Sequence, residues 1–383
     1  MLSVLDDEPK ILTIDKSDML GIVERFPELC DDALSLCRPF TFPKEVKISR
    51  ERLVDYHIPR QVIVTGMGGS AIGGNILRDW LEDRVPISIQ VNREYHLPAY
   101  ADPSTLVVAV SYSGNTEETL SAYVEAVERG CMTLSLSSGG LLEDFSRRLG
   151  LPHIRLPSGY PPRSALPYLF LPLVVGLQKL GIAASFEKEI DEAIRVVKGL
   201  RDEIRRTTRT DSNPAKQLAT SLKGSLPMVC GYGPFKAIAL RIKTQFNENS
   251  KTPAKTESFS ELNHNETVGW SGSTDLTRLF SIILIRSDDE PPEIKARIEV
   301  TRKLIFDKGA HRVLEIYTRG DGRLAKMLSA MYVGDSASVY LGILNGLDPT
   351  PIPIIEELKR QLETRVNMTS ELKKKIEILA GTT

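Results

Sequence analysis

A β-rich run that breaks on glycine and passes into a helix occurs twice in this chain, and that recurrence constrains the fold more than any other feature. In the first half, VIVTG at 62–66 leads into MGGSAIGG at 67–74; in the second, LPMVCG at 226–231 leads into YGPFKAIA at 232–239. The likeness continues: LVVAVS (106–111) matches FSIILIR (280–286), and TLSLS (133–137) matches RVLEIY (312–317). Further strands are expected at 87–91 and 153–156, with helical patterns at 116–128, 141–149 and 236–247. Short apolar runs alternating with amphipathic helices imply parallel βαβ units covered on both faces. A chain of 383 residues has length for two such domains. The expected fold class is α/β, with two αβα sandwich domains in tandem, each with a central parallel sheet, plus helical N- and C-terminal segments. The boundaries read as 1–55 for the N-terminal helical segment, 56–195 and 196–345 for the two sandwiches, and 346–383 for the helical tail. A charged helix over 186–209 joins the halves, its mixed signs making a solvated face.

Composition removes several classes of function. Lys and Arg number 49 against 50 Asp and Glu, a net charge of −1, which fits neither a nucleic-acid binder nor an acidic disordered chain. The longest apolar stretch, 165–177, is interrupted by Pro167 and Pro172 and falls short of the ~20 residues a membrane span needs. The opening MLSVLDDEPK is acidic where a signal peptide is basic. Cys30, Cys37, Cys131 and Cys230 form no CxxC pair, so a cytoplasmic protein without a disulfide framework is expected. The five histidines are dispersed without i, i+4 or HExxH pairing, and no metal is expected.

Two loops carry the chemistry. Gly66-Met67-Gly68-Gly69-Ser70-Ala71 fits the GxGxxA pattern of a dinucleotide turn, although any close approach of a turn to a ligand needs glycines. The next strand ends Val91-Asn92-Arg93, without the acidic residue that grips a ribose, and Ser70 adds a hydroxyl suited to a small phosphate. No nicotinamide cofactor is therefore expected. The second loop, Ser111-Tyr112-Ser113-Gly114-Asn115-Thr116-Glu117-Glu118-Thr119, precedes a helix. Asn115 or Thr116 capping that helix is the simpler reading. A cap needs one side-chain oxygen, whereas this loop offers four donors within six residues; at a helix N-terminus they make an anion site. The second half has RSDDEPPE at the matching place, so such a pocket is expected once per chain.

GMGGSA and SYSGNTEET resemble the sugar isomerase (SIS) domain family. With PPRSALPYLF, FNENSKTPAKTESFSELNHNE and LDPTPIPIIEELKRQL, the resemblance narrows to the family of bifunctional phosphoglucose/phosphomannose isomerases and spans nearly the whole chain. It implies two SIS domains in tandem, a homodimer, and interconversion of glucose 6-phosphate and mannose 6-phosphate with fructose 6-phosphate through a cis-enediol, without metal. Gly68, Gly69, Ser70, Ser111, Ser113 and Thr116 would then bind the substrate phosphate and stabilise developing charge.

The remaining roles fall on five residues. Glu248 is expected just past the helix over 236–247, where the macrodipole disfavours the ionised carboxylate and suits a proton-transfer base; alternatively it is an exposed helix-end glutamate. The FNENSK stretch resembles the family segment that carries the base. His264, in Glu261-Leu262-Asn263-His264-Asn265-Glu266, is suited to exchange a proton with a ring oxygen. His264-x-Glu266 is half of a zinc deaminase signature, but no PCxxC follows. The matching family histidine assists ring opening in the partner subunit. Arg163, after Pro161-Pro162, is a candidate cation for the enediolate, or else a surface arginine. Lys359 reads from pattern alone as a surface helix lysine, while the resemblance matches it to a lysine of the returning tail that helps open the ring. Thr350 is similar to the threonine proposed in the family to leave room for both epimers. Four other readings stand beside this one: a glucose 6-phosphate isomerase alone, a non-catalytic phosphosugar sensor, an amidotransferase-type sugar synthase and a NAD-dependent enzyme. Sensors of this family usually carry a helix-turn-helix, and the synthase needs a cysteine nucleophile and a glutaminase domain.

Overall fold

Alternation of β-branched runs with amphipathic helices produces two parallel sheets in the computed structural model, which describes residues 3–49, 52–183, 185–366 and 368–381. The strands in chain order are β1 (Glu45–Ser49), β2 (Arg52–Asp55), β3 (Gln61–Thr65), β4 (Ser88–Asn92), β5 (Thr105–Val110), β6 (Met132–Ser137), β7 (His153–Arg155), β8 (Leu226–Tyr232), β9 (Lys255–Phe259), β10 (Phe280–Arg286) and β11 (Arg312–Tyr317). One sheet runs β4-β3-β5-β6-β7 and the other β11-β10-β8-β9. All pairings within both are parallel. Read from β9, the second sheet follows β9-β8-β10-β11, the same path as β4-β3-β5-β6. The recurrence in the sequence is thus a recurrence of topology, with β7 added in the first copy. Wholly buried strands β5 and β6 explain their unbroken apolar or small-residue runs.

Three strands, β1, β2 and β9, depart from the expected pattern. Helices Glu8–Ile14, Met19–Glu24 and Phe26–Cys37 lie in the first segment as expected, but β1 and β2 follow them as an antiparallel hairpin. Val46, Ile48 and Val54 are buried with exposed or intermediate neighbours, the alternation of a half-covered strand. β9 is written KTESF, and only Phe259 is buried. It lies at the sheet edge, where polar residues are ordinary, and takes the place that β4 has in the first copy.

The chain forms two compact units, and each borrows a terminal segment from the other half of the sequence. The four-stranded unit comprises Met1–Pro27 with Phe186–Pro351; the five-stranded unit comprises Glu28–Ser185 with Ile352–Thr383. In the four-stranded unit, the fully buried Lys216 donates to the carbonyl of Arg206 at 2.8 Å and also to that of Leu5. Asp6 accepts from the Thr210 amide and hydroxyl, both at 2.8 Å. The helix expected over 186–209 ends at Ile204, burying Ile190, Val197 and Leu200; beyond it the Arg206 amide donates to Glu24 at 2.7 Å. Helix Arg323–Leu344 is long and apolar enough to cross a bilayer, yet it is the core helix of this unit, packed on helices Glu187–Ile204, Pro214–Leu222 and Lys236–Asn249. In the five-stranded unit, helix Met368–Gly381 buries Leu372 and Ile376.

Candidate active site

In the five-stranded unit, three strand-to-helix turns converge at the carboxyl ends of β3, β5 and β6. The helices that follow, Gly68–Leu81, Glu117–Glu128 and Gly140–Arg148, all begin without a side-chain cap. In the first two the opening amides meet no capping side chain, whereas in the third the Leu141 amide is taken by Asn115 and the Leu142 amide by the Gly114 carbonyl. Thr116 stands at the N-cap of the second helix, but its hydroxyl accepts from Ser111 Oγ at 2.9 Å instead of capping. Asn115 does not cap either: its Oδ1 accepts the Leu141 amide at 3.0 Å from the neighbouring turn. The simpler capping reading of this loop is thereby corrected.

Close backbone contacts hold the loop in shape. Gly114 has φ +70°, and a Cβ there would stand 1.8 Å from the Gly139 carbonyl oxygen. The Leu142 amide donates to the Gly114 carbonyl at 2.9 Å, and the Ser138 amide and hydroxyl both donate to the Tyr112 carbonyl. Gly139 and Gly140 thus form a floor for the serine loop, a role that no local sequence pattern shows. Ser70 is buried, and its hydroxyl accepts the Tyr112 amide at 3.3 Å, joining the first turn to the second. Ser111 is fully buried beneath the loop, whereas Ser113 is exposed. Glu118 faces Tyr95, whose phenol is raised by burial and by the nearby carboxylates.

Tyr112 carries the arrangement one step further. Its hydroxyl donates to the Pro157 carbonyl at 2.7 Å and accepts the Tyr160 amide at 3.0 Å, with burial pushing the phenol up. That fixes the segment leading to the turn Pro162–Ser164, which holds Arg163. Arg163 is 2% exposed, so the surface-arginine reading is corrected. A Cβ on Gly69 would lie 3.1 Å from the Arg163 Cα, so glycine lets the two segments touch. Gly68, at φ +50°, faces open space. The structure thus brings Gly68, Gly69, Ser70, Ser111, Ser113, Thr116 and the Arg163 turn into one constellation. β4, beside β3, ends at Asn92, whose side-chain amide donates to the Glu94 and His96 carbonyls.

Glu248, Thr350 and His264 belong to the four-stranded unit. Glu248 lies inside the last turn of helix Lys236–Asn249, which runs two residues beyond the expected end. It is half-buried. The Lys251 ammonium reaches both the Glu248 carbonyl (2.8 Å) and the Pro349 carbonyl (2.7 Å), tying the helix end to the turn that holds Thr350. His264 is exposed after the turn Glu261–Asn263 that follows β9. Lys359 is exposed on helix Pro353–Arg365, which belongs to the five-stranded unit. Among the described residues no group of three or more His, Cys, Asp or Glu side chains is placed to hold a metal ion.

The matching loop of the second copy is closed by its own charges. After β10, Glu290 accepts Arg286 Nε at 2.7 Å and the Ser287 amide at 3.0 Å, while Arg286 Nη1 donates to Glu315 at 2.8 Å. These bonds hold the Arg286 guanidinium above its ordinary range. A carboxylate of the chain thus occupies, in the second copy, the place after the strand where the first copy has its serine loop.

Residues 211–362 match the family described as bacterial phospho-glucose isomerase C-terminal SIS domain. The chain is 43% identical over 304 residues to a bifunctional phosphoglucose/phosphomannose isomerase of Caldicellulosiruptor bescii, covering 79% of this chain and 89% of that protein. It is 33% identical over 337 residues to the protein of that name from Thermoplasma volcanium, covering 88% and 99%. In fold it is similar to the C-terminal domain of glucosamine-fructose-6-phosphate aminotransferase from Francisella tularensis, with a TM-score of 0.62 at 15% identity over 87% of this chain and 98% of that one. With the repeated parallel sheet and the serine loop on the first copy, these likenesses place the chain: it is an isomerase and belongs to the bifunctional phosphoglucose/phosphomannose isomerase family.

Proposed function

We propose that the chain interconverts glucose 6-phosphate and mannose 6-phosphate with fructose 6-phosphate through a cis-enediol, without a metal ion, as a cytoplasmic homodimer. The observation that carries this reading is the serine loop over 111–116, rich in hydroxyls and set before the helix Glu117–Glu128, whose start no side chain caps. The substrate phosphate sits against Ser70, Ser113 and Thr116 and the first amides of helices Gly68–Leu81 and Glu117–Glu128, with Ser111 orienting Thr116 from beneath. His264, contributed by the partner copy, and Lys359 open the ring by exchanging protons with the ring oxygen and the anomeric hydroxyl. The exposure of His264 on its own chain supports a role in a second copy.

In the open aldose, the Glu248 carboxylate takes the proton from C2 while the C1 oxygen gains one, giving the enediol. The same carboxyl then returns its proton to C1 as the C2 hydroxyl loses its proton, leaving the ketose. Because C2 is planar in the intermediate, the configuration that separates glucose from mannose is erased there, so one base serves both. Arg163 and the backbone of Gly68 and Gly69 stabilise the charge on the enediolate oxygens; burial of Arg163 supports this, since a charge in a dry site acts more strongly. Thr350 leaves room for both C2 epimers.

The test follows formation of fructose 6-phosphate from each aldose with EDTA present, alongside Glu248→Gln. Turnover of both sugars, lost in the variant, is the expected result. Turnover of glucose 6-phosphate alone restricts the activity to one epimer. Turnover of neither leaves a phosphosugar-binding protein, and loss on adding EDTA overturns the metal-free mechanism.

A further inference from the structure

Among the described residues only Asp18 and Lys251 take positive φ without being glycine. Asp18 has a local reason: its carboxylate caps the helix Met19–Glu24 through the Gly21 amide and accepts from Arg206 at 2.7 Å. Lys251 stands at φ +52° two residues past the helix Lys236–Asn249, the place where glycine is the ordinary choice because a Cβ is strained there. A side chain kept at such a position points to work done by the side chain. Its ammonium has three donors, and two of them go to the carbonyls of Glu248 and Pro349. The first steadies the open end of the helix that presents the carboxyl; the second fastens the buried Pro349, and with it Thr350, to the same point.

We infer that Lys251 is a positioning residue that sets, through one ammonium, where the Glu248 carboxyl meets C1 and C2 and how far the Thr350 turn stands from C2, and so the partition between the two epimeric substrates. The inference rests on the roles proposed above for Glu248 and Thr350. A base must be held closely to the carbons it serves, and misplacement by about 1 Å lowers rates on the order of 100-fold. Both carbonyls anchored by Lys251 belong to residues on either side of that geometry, so one loosened tether disturbs two contacts.

Three variants separate position from stability. Lys251→Met keeps the stem and removes the donors, Lys251→Arg keeps donors, and Lys251→Gly removes the donors while relieving the left-handed backbone. Each is assayed for kcat and KM with glucose 6-phosphate and mannose 6-phosphate separately, together with its thermal unfolding midpoint. Lys251→Met and Lys251→Gly are expected to lower kcat ~10- to 100-fold with KM moved less than about threefold. The ratio of the two activities shifts by more than about threefold. Lys251→Arg recovers most of the loss, and Lys251→Gly unfolds no lower than Lys251→Met, so its lost turnover is not lost stability. Unchanged kcat in Lys251→Met, or a loss that arginine does not recover, overturns the inference. Glu248→Gln run in parallel tells the two failures apart. If it is inactive while Lys251→Met is normal, only the role of Lys251 falls; if it stays active, the base assignment falls and this inference with it.

Discussion

The Tyr112 amide donates to the Ser70 hydroxyl across 3.3 Å, so two turns that are 42 residues apart in sequence share one bond at the carboxyl ends of β3 and β5. Ser70 therefore has two parts to play: it braces the serine loop, and it faces the place where the phosphate is proposed to bind. Ser70→Ala is expected to raise KM for both aldose phosphates about tenfold, the worth of one hydrogen bond to a charged group. Inhibition by inorganic phosphate should weaken in parallel. A fall in kcat at constant KM, with phosphate inhibition intact, would count against a phosphate contact.

Two glycines with positive φ should respond differently to alanine. Gly114→Ala sets a Cβ 1.8 Å from the Gly139 oxygen, whereas Gly68→Ala meets nothing within 4 Å. The first combines a backbone collision with left-handed strain and should destabilise the protein by ~3 kcal/mol or more; the second carries only the strain, about 1 kcal/mol. Urea midpoints measure the difference. Equal losses would show that the floor under the serine loop yields easily.

His153 gives the five-stranded unit a dependence on acid. Its Nδ1 is 2.8 Å from Ser135 Oγ, its Nε2 is buried without a hydrogen-bond partner, and burial lowers its pKa below 6.5 against an opposing pull from Glu143. The unfolded chain then binds the extra proton first. This contribution is complete above about pH 6.5 and is lost as the pH falls below that value toward the folded pKa. His153→Gln, which cannot take up the proton, should show a flatter fall in urea midpoint between pH 7.5 and 5. Parallel profiles for the two proteins would refute the assignment to this imidazole.

Arg241 and Asp335 form a buried ion pair between helices Lys236–Asn249 and Arg323–Leu344, with Arg241 Nη2 2.7 Å from Asp335 Oδ2. Asp335→Leu removes the carboxylate from a buried guanidinium and should cost ~3–5 kcal/mol. Arg241→Met combined with Asp335→Leu should recover most of that loss, because the desolvation of both charges is removed together. A double variant no more stable than the single one would place the value of the pair in contacts other than charge.

How legible these features were follows from the reach of the interactions involved. Strands β5, β6, β8 and β10 show themselves as local runs, because burial on both faces favours apolar or small residues at nearly every position; the edge strand β11 shows itself by Val313, Leu314 and Ile316 although Arg312 and Tyr317 are exposed. β9 hides, since an edge strand half-open to water tolerates Lys255, Thr256 and Glu257. The β1–β2 hairpin was absorbed into an expected helical segment because Glu45–Ser49 and Arg52–Asp55 are short and carry charge on their open face. Within the site, the serine loop is readable because it carries more hydroxyls before one helix than a single cap can use. The burial of Arg163 is not readable from its neighbours, for it depends on Gly69 and on Tyr112 holding the Pro157 segment. The tether from Lys251 to Pro349 spans 98 positions, a distance over which no local pattern speaks.

The exchange of terminal segments between the two units has a consequence for the birth of the molecule. Residues 1–27 are made well before the rest of their unit, and the lysine that donates to the Leu5 carbonyl lies 211 positions downstream. At ~5–20 residues per second, the opening helices wait on the order of 10–40 s for their own unit to be made. The five-stranded unit is complete except for Ile352–Thr383 while its sibling is still being translated, and those helices arrive only after that sibling has been made. A single protease cut at residue 185 would therefore not yield two self-sufficient halves: each fragment would carry away a piece that the other needs.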